Sequence, residues 1–367
     1  MSPKSSSAET ASGSSAFLPI DASQSLSKYN KNRYLFYVFS LILLTLFDKP
    51  TQAQSDEYWT IKGNFAGLAR RGAVSFSIGN KGYTGTGFLT YRLKDFWEYD
   101  ATTDSWSQKA DFGGTTRYYA VGFAIENKGY IATGDDGNAT NGGATNDIWE
   151  YDPNSNSWTQ KSPLPGVPRF GSVGFSIGSK GYIGTGHLNP ALGEPAFRVN
   201  DFWEFDPNAG PNGTWTEKHK IGGDSGPATL RRAYSAAFSI GGKGYIGTGN
   251  TEIGKRKDFW EYDPIADTWT QKADFGGSPR FVSFGLNIGS KGYICTGDIG
   301  GTAKFTNDFW EYDPTTDKWT KKLSLPDSVD TSPTGFSIGG KGYIGTGDYG
   351  INRKASNVFF EYTPASI

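Results

Sequence analysis

One pattern recurs six times along the chain and restricts what it can fold into. In its clearest copy, residues 291–298 read Lys-Gly-Tyr-Ile-Cys-Thr-Gly-Asp and residues 307–314 read Asn-Asp-Phe-Trp-Glu-Tyr-Asp-Pro. A short link then leads to Trp319-Thr-Lys-Lys322. The first block recurs at Lys81, Lys128, Lys180, Lys243, Lys291 and Lys341, with spacings of 47, 52, 63, 48 and 50 residues. The second recurs at Asp95, Asp147, Asp201, Asp258 and Asp308, with a decayed sixth copy ending Phe359-Phe360-Glu361-Tyr362. The third recurs at Trp59, Trp106, Trp158, Trp215, Trp269 and Trp319. A period near 50 residues made of short strand-like pieces belongs to four-stranded propeller blades rather than to helical repeats.

Within one copy, Gly72-Ala-Val-Ser-Phe-Ser-Ile78 alternates large and small residues, the period-two pattern of a strand. Both faces are expected to be buried, the bulky face of one blade meeting the small face of the next. Residues 79–82 read as a hairpin turn in which glycine supplies positive φ. Tyr83-Thr-Gly-Thr-Gly87 reads as a second strand whose glycines stand where neighbouring backbone must come close. Residues 95–100 form the third strand, and a turn leads into the Trp106 strand. The chain enters on a lone Trp strand at Trp59 and leaves after a third strand at Tyr362. The expected architecture is therefore all-β and six-bladed, the last blade closed by the N-terminal strand, which protects every sheet edge. The fourth-strand tryptophans, Trp269 among them, are expected in the core.

Residues 55–367 are assigned to this array. Residues 1–27 are rich in Ser and Ala without hydrophobic period and read as a disordered leader. Residues 28–54 place Lys28, Lys31 and Arg33 before the apolar run Tyr34–Phe47 and a polar stretch ending in Ala53. That is the order of a secretory signal. The run is short for a spanning helix of about 20 residues. The segment reads as a signal peptide or an uncut signal-anchor, and a membrane enters only in the second case. The expected location is secreted, periplasmic or at the cell surface. A net charge of −1, with no basic stripe, excludes an electrostatic case for nucleic acid. The single cysteine, Cys295, excludes an intrachain disulfide.

The sequence of an arginine, a small/aromatic strand, Gly-Tyr-Ile-x-Thr-Gly, Asp-Phe-Trp-Glu-Tyr-Asp-Pro and Trp-Thr-x-Lys resembles the kelch repeat over most of the chain. It is similar above all to exported bacterial kelch proteins of the galactose-oxidase-like type, with Thr-Gly standing where kelch repeats carry Gly-Gly. The galactose oxidase resemblance would imply a copper centre of two His, two Tyr and a thioether-forming Cys. Here the inventory is minimal: His187, His219 and Cys295. Cys295 stands where other copies carry Gly or Ala and reads as a buried filler. His219 follows the outermost strand, about 14 Å farther out than the innermost one at ~4.8 Å per strand, whereas two imidazoles on one ion must each come within ~2 Å. No metal or other cofactor is expected. No Gly-x-Ser-x-Gly elbow or His-Glu-x-x-His helix occurs.

Two sets of residues open onto one face. Arg70, Arg117, Arg169, Arg232 and Arg280, with Asp330 in the sixth copy, precede the inner strands. Phe88, Asp135, His187, Asn250, Asp298 and Asp348 follow each Thr-Gly. Repetition around the ring speaks for scaffold, with the arginines paired to carboxylates; departures at Asp330, Phe88 and His187 speak for a ligand. The longest loops, 187–200 and 220–230, rise on the same face, and loops over a rigid scaffold concentrate binding residues. The expected function is non-catalytic recognition of a glycan or protein, anionic if the arginines serve it. The expected site is Arg117, Arg169, Arg232, Asp135, His187 and Asn250. The alternative is a sugar mutarotase similar to N-acetylneuraminate epimerase, for which a positioned acid and base suffice.

Overall fold

The computed structural model describes residues 56–365 except 139–141, 189–196, 224–229, 302–303, 327–328 and 351. The leader and the apolar run expected within 1–54 lie outside the described residues. The described chain is all-β and forms six four-stranded antiparallel sheets, one per sequence copy. In blade one these strands are Val74–Ile78, Lys81–Gly85, Phe96–Asp100 and Ser105–Lys109, from the axis outward. The inner strands pack in sequence, Val74–Ile78 on Val121–Ile125, then Val173–Ile177, Ala236–Ile240, Phe284–Ile288 and Thr334–Ile338, which returns to the first. The ring is a closed β-propeller around a channel of about 320 Å³.

Tyr58–Lys62 supplies the outer strand of blade six, pairing antiparallel with Phe359–Thr363, Tyr58 opposite Thr363 and Lys62 opposite Phe359. The closure has a second component that the repeat pattern did not reveal. Asp104, Asn156, Asp267 and Asp317 each stand two residues before an outer-strand tryptophan. Each accepts a hydrogen bond from a third-strand tyrosine of its own blade. Each also accepts a backbone N–H just past the outer strand of the preceding blade. Glu57 does the same in blade six, accepting from the Tyr362 hydroxyl at 2.8 Å and from the Leu323 N–H at 2.7 Å. Burial opposes its ionisation, but the hydrogen bonds from Lys322, Tyr362 and Leu323 outweigh it and hold its pKa low.

The alternation of the inner strands places Phe76, Phe123, Phe175 and Phe238 in the inter-blade layers. Each stacks on the second-strand tyrosine of its own blade, Phe76 on Tyr83 at 5.6 Å for example. The glycine of Lys-Gly-Tyr is required by that packing. A Cβ on Gly129 would lie 2.2 Å from the nearest ring atom of Phe76, and one on Gly181 2.4 Å from that of Phe123, far inside contact distance. Of the turn glycines Gly79 and Gly82, only Gly79 has the positive φ expected from sequence. The close backbone expected at the second-strand glycines is found: a Cβ on Gly85 would lie 2.8 Å from the Asp95 carbonyl oxygen and one on Gly87 3.1 Å from that of Arg71. The outer-strand tryptophans are half-buried rather than fully buried. Trp269 lies edge-on to Phe202 at 5.0 Å while its indole N–H reaches the His219 carbonyl at 2.7 Å. Cys295 is fully buried, and its thiol is pushed up to about 12 by that burial.

The threonine of each Thr-Gly pair, from Thr86 to Thr346, has φ between 56° and 62°. A β-branched residue is strained there, and the Oγ1 atoms of Thr86, Thr133, Thr185, Thr296 and Thr346 are buried without a hydrogen-bond partner. Thr133→Gly is expected to stabilise. Release of about 1–2 kcal/mol of left-handed strain and of an unpaired hydroxyl (~1–3 kcal/mol) exceeds the ~1 kcal/mol backbone entropy of glycine and the ~0.8 kcal/mol of a buried methyl. Urea unfolding should show a gain of about 1 kcal/mol; a loss of that size would mean that the methyl packing dominates.

Candidate binding face at the mouth of the channel

Strand direction places the links before the inner strands and the loops after the second strands at one end of the channel. There the backbone forms a closed hydrogen-bonded ring. The Tyr119 N–H donates to Gly72, Gly171 to Tyr119, Tyr234 to Gly171, Val282 to Tyr234, Ser332 to Val282 and Gly72 to Ser332, at 2.7–3.3 Å. All six residues have φ between 49° and 60°, including the non-glycines Tyr119, Tyr234, Val282 and Ser332. Such strain persists only where the surroundings impose it. One residue outward, Arg71, Tyr118, Phe170, Ala233, Phe281 and Thr331 pair with Phe88, Asp135, His187, Asn250, Asp298 and Asp348. The second set expected from sequence is therefore a true ring at the mouth.

The first set is not at the surface. Arg117, Arg169 and Arg232 are 0 % exposed, and Arg70 and Arg280 are equally buried. Arg117 Nη1 and Nη2 donate to both carboxylate oxygens of Asp147 at 2.6 and 2.9 Å, Nη1 also to the Thr133 carbonyl, and Nε to the Thr115 carbonyl. Arg169 binds Asp201 and Arg232 binds Asp258 in the same fork. The second oxygen of each aspartate also accepts the indole N–H of the tryptophan two residues on, as Asp147 does from Trp149 at 2.8 Å. All five donors of Arg117 and four of the five of Arg169 and of Arg232 are engaged inside the blades. These three buried arginines are therefore corrected from ligand-binding residues to pins that hold the blades. In blade six the whole trio has gone: Asp330 replaces the arginine, Val358 the aspartate and Phe360 the tryptophan. The sixth-copy break at Asp330 thus reflects loss of the pin.

The remaining sequence-expected residues do stand at the mouth. Asp135 accepts from Arg92 Nη2 at 2.7 Å and from the Gly137 N–H at 2.9 Å. His187 pairs across a two-residue ribbon with Arg198 and packs edge-on to Phe170 at 5.0 Å. Its Nδ1 is buried without a partner, and burial followed by the Arg198 charge lowers its pKa. Asn250 is half-buried, paired with Ala233 and Lys255. Asp348 is 1 % exposed, its Oδ1 lacks a partner, and burial raises its pKa against the pull of Arg71 and Arg353.

Sequence reading missed the cations that matter here, because they stand outside the repeated positions. Arg71 meets Asp348 only at 3.4 Å and lies over Phe88 at 4.9 Å. Arg198 has an unpartnered Nε, with Glu252 at 3.8 Å. Arg353, about half-exposed, reaches Asp298 at 3.6 Å. A guanidinium offers five donors. These three hold theirs loosely, in contrast to the buried pins with their bidentate carboxylates.

A scan of family models finds no match to this chain, and a search of curated proteins finds none either. Among solved structures 668 chains match, so the architecture is widely shared. One, the structure of YjhT, aligns with a TM-score of 0.67 at 17 % identity, covering 83 % of this chain and 98 % of that one. At that identity the likeness speaks to the fold alone, and function has to be argued from the mouth.

Proposed function

We propose that this chain is a kelch-type recognition propeller, exported from the cell, whose mouth binds a glycan carrying a carboxylate. The carrying observation is the set of loosely paired guanidiniums, Arg71, Arg198 and Arg353, around a mouth whose aromatic and polar residues break the sixfold pattern. A guanidinium fork matches a carboxylate. Asp135, His187 and Asn250 supply polar orientation from the neighbouring loops, while the buried arginines keep the rim rigid. Export rests on the basic flank and apolar run of residues 28–54.

The test is a glycan array of neutral and carboxylated glycans, followed by titration of the best hit. Arg71→Gln should weaken that hit by about 1.5–3 kcal/mol, the range of a charge-assisted hydrogen bond, with little change in melting temperature. Equal retention of neutral and acidic glycans would remove the carboxylate from the reading. Retention of a protein in a pull-down and of no glycan would replace it.

One observation favours a second reading, a sugar mutarotase similar to N-acetylneuraminate epimerase. The mouth holds a carboxyl biased toward its protonated form at Asp348 and an imidazole biased toward its neutral form at His187. Mutarotation needs such an acid and base. Anomerically pure sialic acid followed by NMR distinguishes the two, because a binding module leaves the equilibration rate unchanged.

A further inference from the structure

The mouth carries an unbroken run of aromatic rings that recognition of a single carboxylate does not require. Phe88 lies against Tyr118 with centroids 5.2 Å apart, Tyr118 against Tyr119 at 4.7 Å, Tyr119 edge-on to Tyr234 at 5.0 Å, and Tyr234 against Phe281 at 6.1 Å. All five residues are half-buried, and Tyr119 and Tyr234 line the cavity at the channel mouth. They come from the links and loops of blades one, two, four and five, at positions that recur in every blade but with side chains that do not. Tyr119 and Tyr234 occupy ring positions where blades one and three carry Gly72 and Gly171. The left-handed backbone favours glycine at such positions, so two aromatic side chains are kept there against a conformational cost. Each leans over its neighbour's glycine: a Cβ on Gly72 would meet the Tyr119 ring at 3.0 Å, and one on Gly171 the Tyr234 ring at 2.7 Å. Together they form a floor across the channel mouth.

Cations sit over the rings toward both ends of this run. Arg92, which donates to Asp135 from Nε and Nη2, lies over Tyr118 at 5.3 Å. Lys255, which donates to Asp298 at 2.6 Å, lies over Phe281 at 5.3 Å. A ligand carboxylate would thus join a cation that already shares one aspartate at each end. Between those two rings are three ring-to-ring steps, 4.7, 5.0 and 6.1 Å. Tyr118 and Phe281 open blades two and five, which face each other across the six-membered ring, so a chain with a carboxylate on successive units suits the two cations better than one carboxylate does. We infer that the mouth binds an acidic oligosaccharide lengthwise, the apolar faces of its sugar rings on the tyrosine floor and its carboxylates toward Arg92 at one end and Lys255 at the other. This rests on the glycan reading above and adds that the ligand is an extended polyuronate-like chain rather than a single acidic sugar.

The test titrates the full chain by calorimetry with uronic-acid oligosaccharides of one, two, four and six units, and with neutral oligosaccharides of equal length. Affinity should rise by about 100-fold from one unit to four, since added units bind intramolecularly, and then level off. Tyr119→Gly and Tyr234→Gly place at each position the residue that blades one and three already use, so the fold is kept and the melting temperature should hold or rise. Each should lower tetramer affinity about tenfold through loss of one ring contact. Lys255→Gln should weaken the tetramer by a larger factor than the single unit, for which the Arg92 end remains. A single uronic acid binding as tightly as the tetramer, or a tetramer indifferent to Tyr234→Gly, would overturn the inference and leave the carboxylated-glycan reading standing. Failure of every acidic and neutral length to bind would overturn both.

Discussion

A chain lacking residues 56–62 is expected to lose its cooperative fold. That deletion removes the outer strand of blade six, exposes the edge of Phe359–Thr363, and takes away the Glu57 contacts to Tyr362 and Leu323 that tie blade six to blade five. A propeller avoids sheet edges by closing on itself, and its stability of about 5–15 kcal/mol is small beside a whole strand with its paired tryptophan. Circular dichroism with urea titration should show no native-like transition, or one with a collapsed midpoint. An unchanged midpoint and m-value would mean that the strand is ornamental. Glu57→Ala alone should cost about 1.5–3 kcal/mol, as charge-assisted hydrogen bonds do.

Arg117→Ala is expected to cost about 3–5 kcal/mol, the loss for breaking a buried pair by removing one partner. The Asp147 carboxylate would then keep only the Trp149 and Thr145 contacts. Blade six indicates the remedy. Adding Asp147→Val and Trp149→Phe to Arg117→Leu copies its apolar solution at the aspartate and tryptophan positions, and should recover part of the loss through the ~0.5–3 kcal/mol coupling of contacting residues. The same pairs set an acid limit. At Asp95, Asp147, Asp258 and Asp308 burial opposes ionisation, but the paired arginine outweighs it and the pKa falls. A depressed carboxylate contributes stability that is present above its ordinary value of 3.8 and lost as pH falls through the lower folded value. Unfolding should therefore set in below about pH 4, and Arg117→Ala should flatten that dependence. A cost under about 1 kcal/mol combined with lost glycan affinity would return Arg117 to the ligand.

The sequence by itself determined the repeat, the strand order within each copy and the closure by Trp59, because a period-two strand pattern repeated near every fiftieth residue admits few other ways to bury both faces. It also determined that Asp135, His187 and Asn250 share one ring, since they occupy equivalent places after Thr-Gly. It could not decide whether Arg117, Arg169 and Arg232 face a ligand or a carboxylate. Their partners, Asp147, Asp201 and Asp258, lie 26–32 residues away, although the joint loss of all three pin residues in the sixth copy was a readable hint. The tertiary structure alone decided the mouth. Arg71, Tyr119, Tyr234 and Lys255 belong to no repeated motif, and they meet only because six inner-strand entries converge on one hydrogen-bonded ring. Repetition encodes the contacts that each blade makes in the same way; the contacts that break the symmetry arise only where unlike blades come together around the axis.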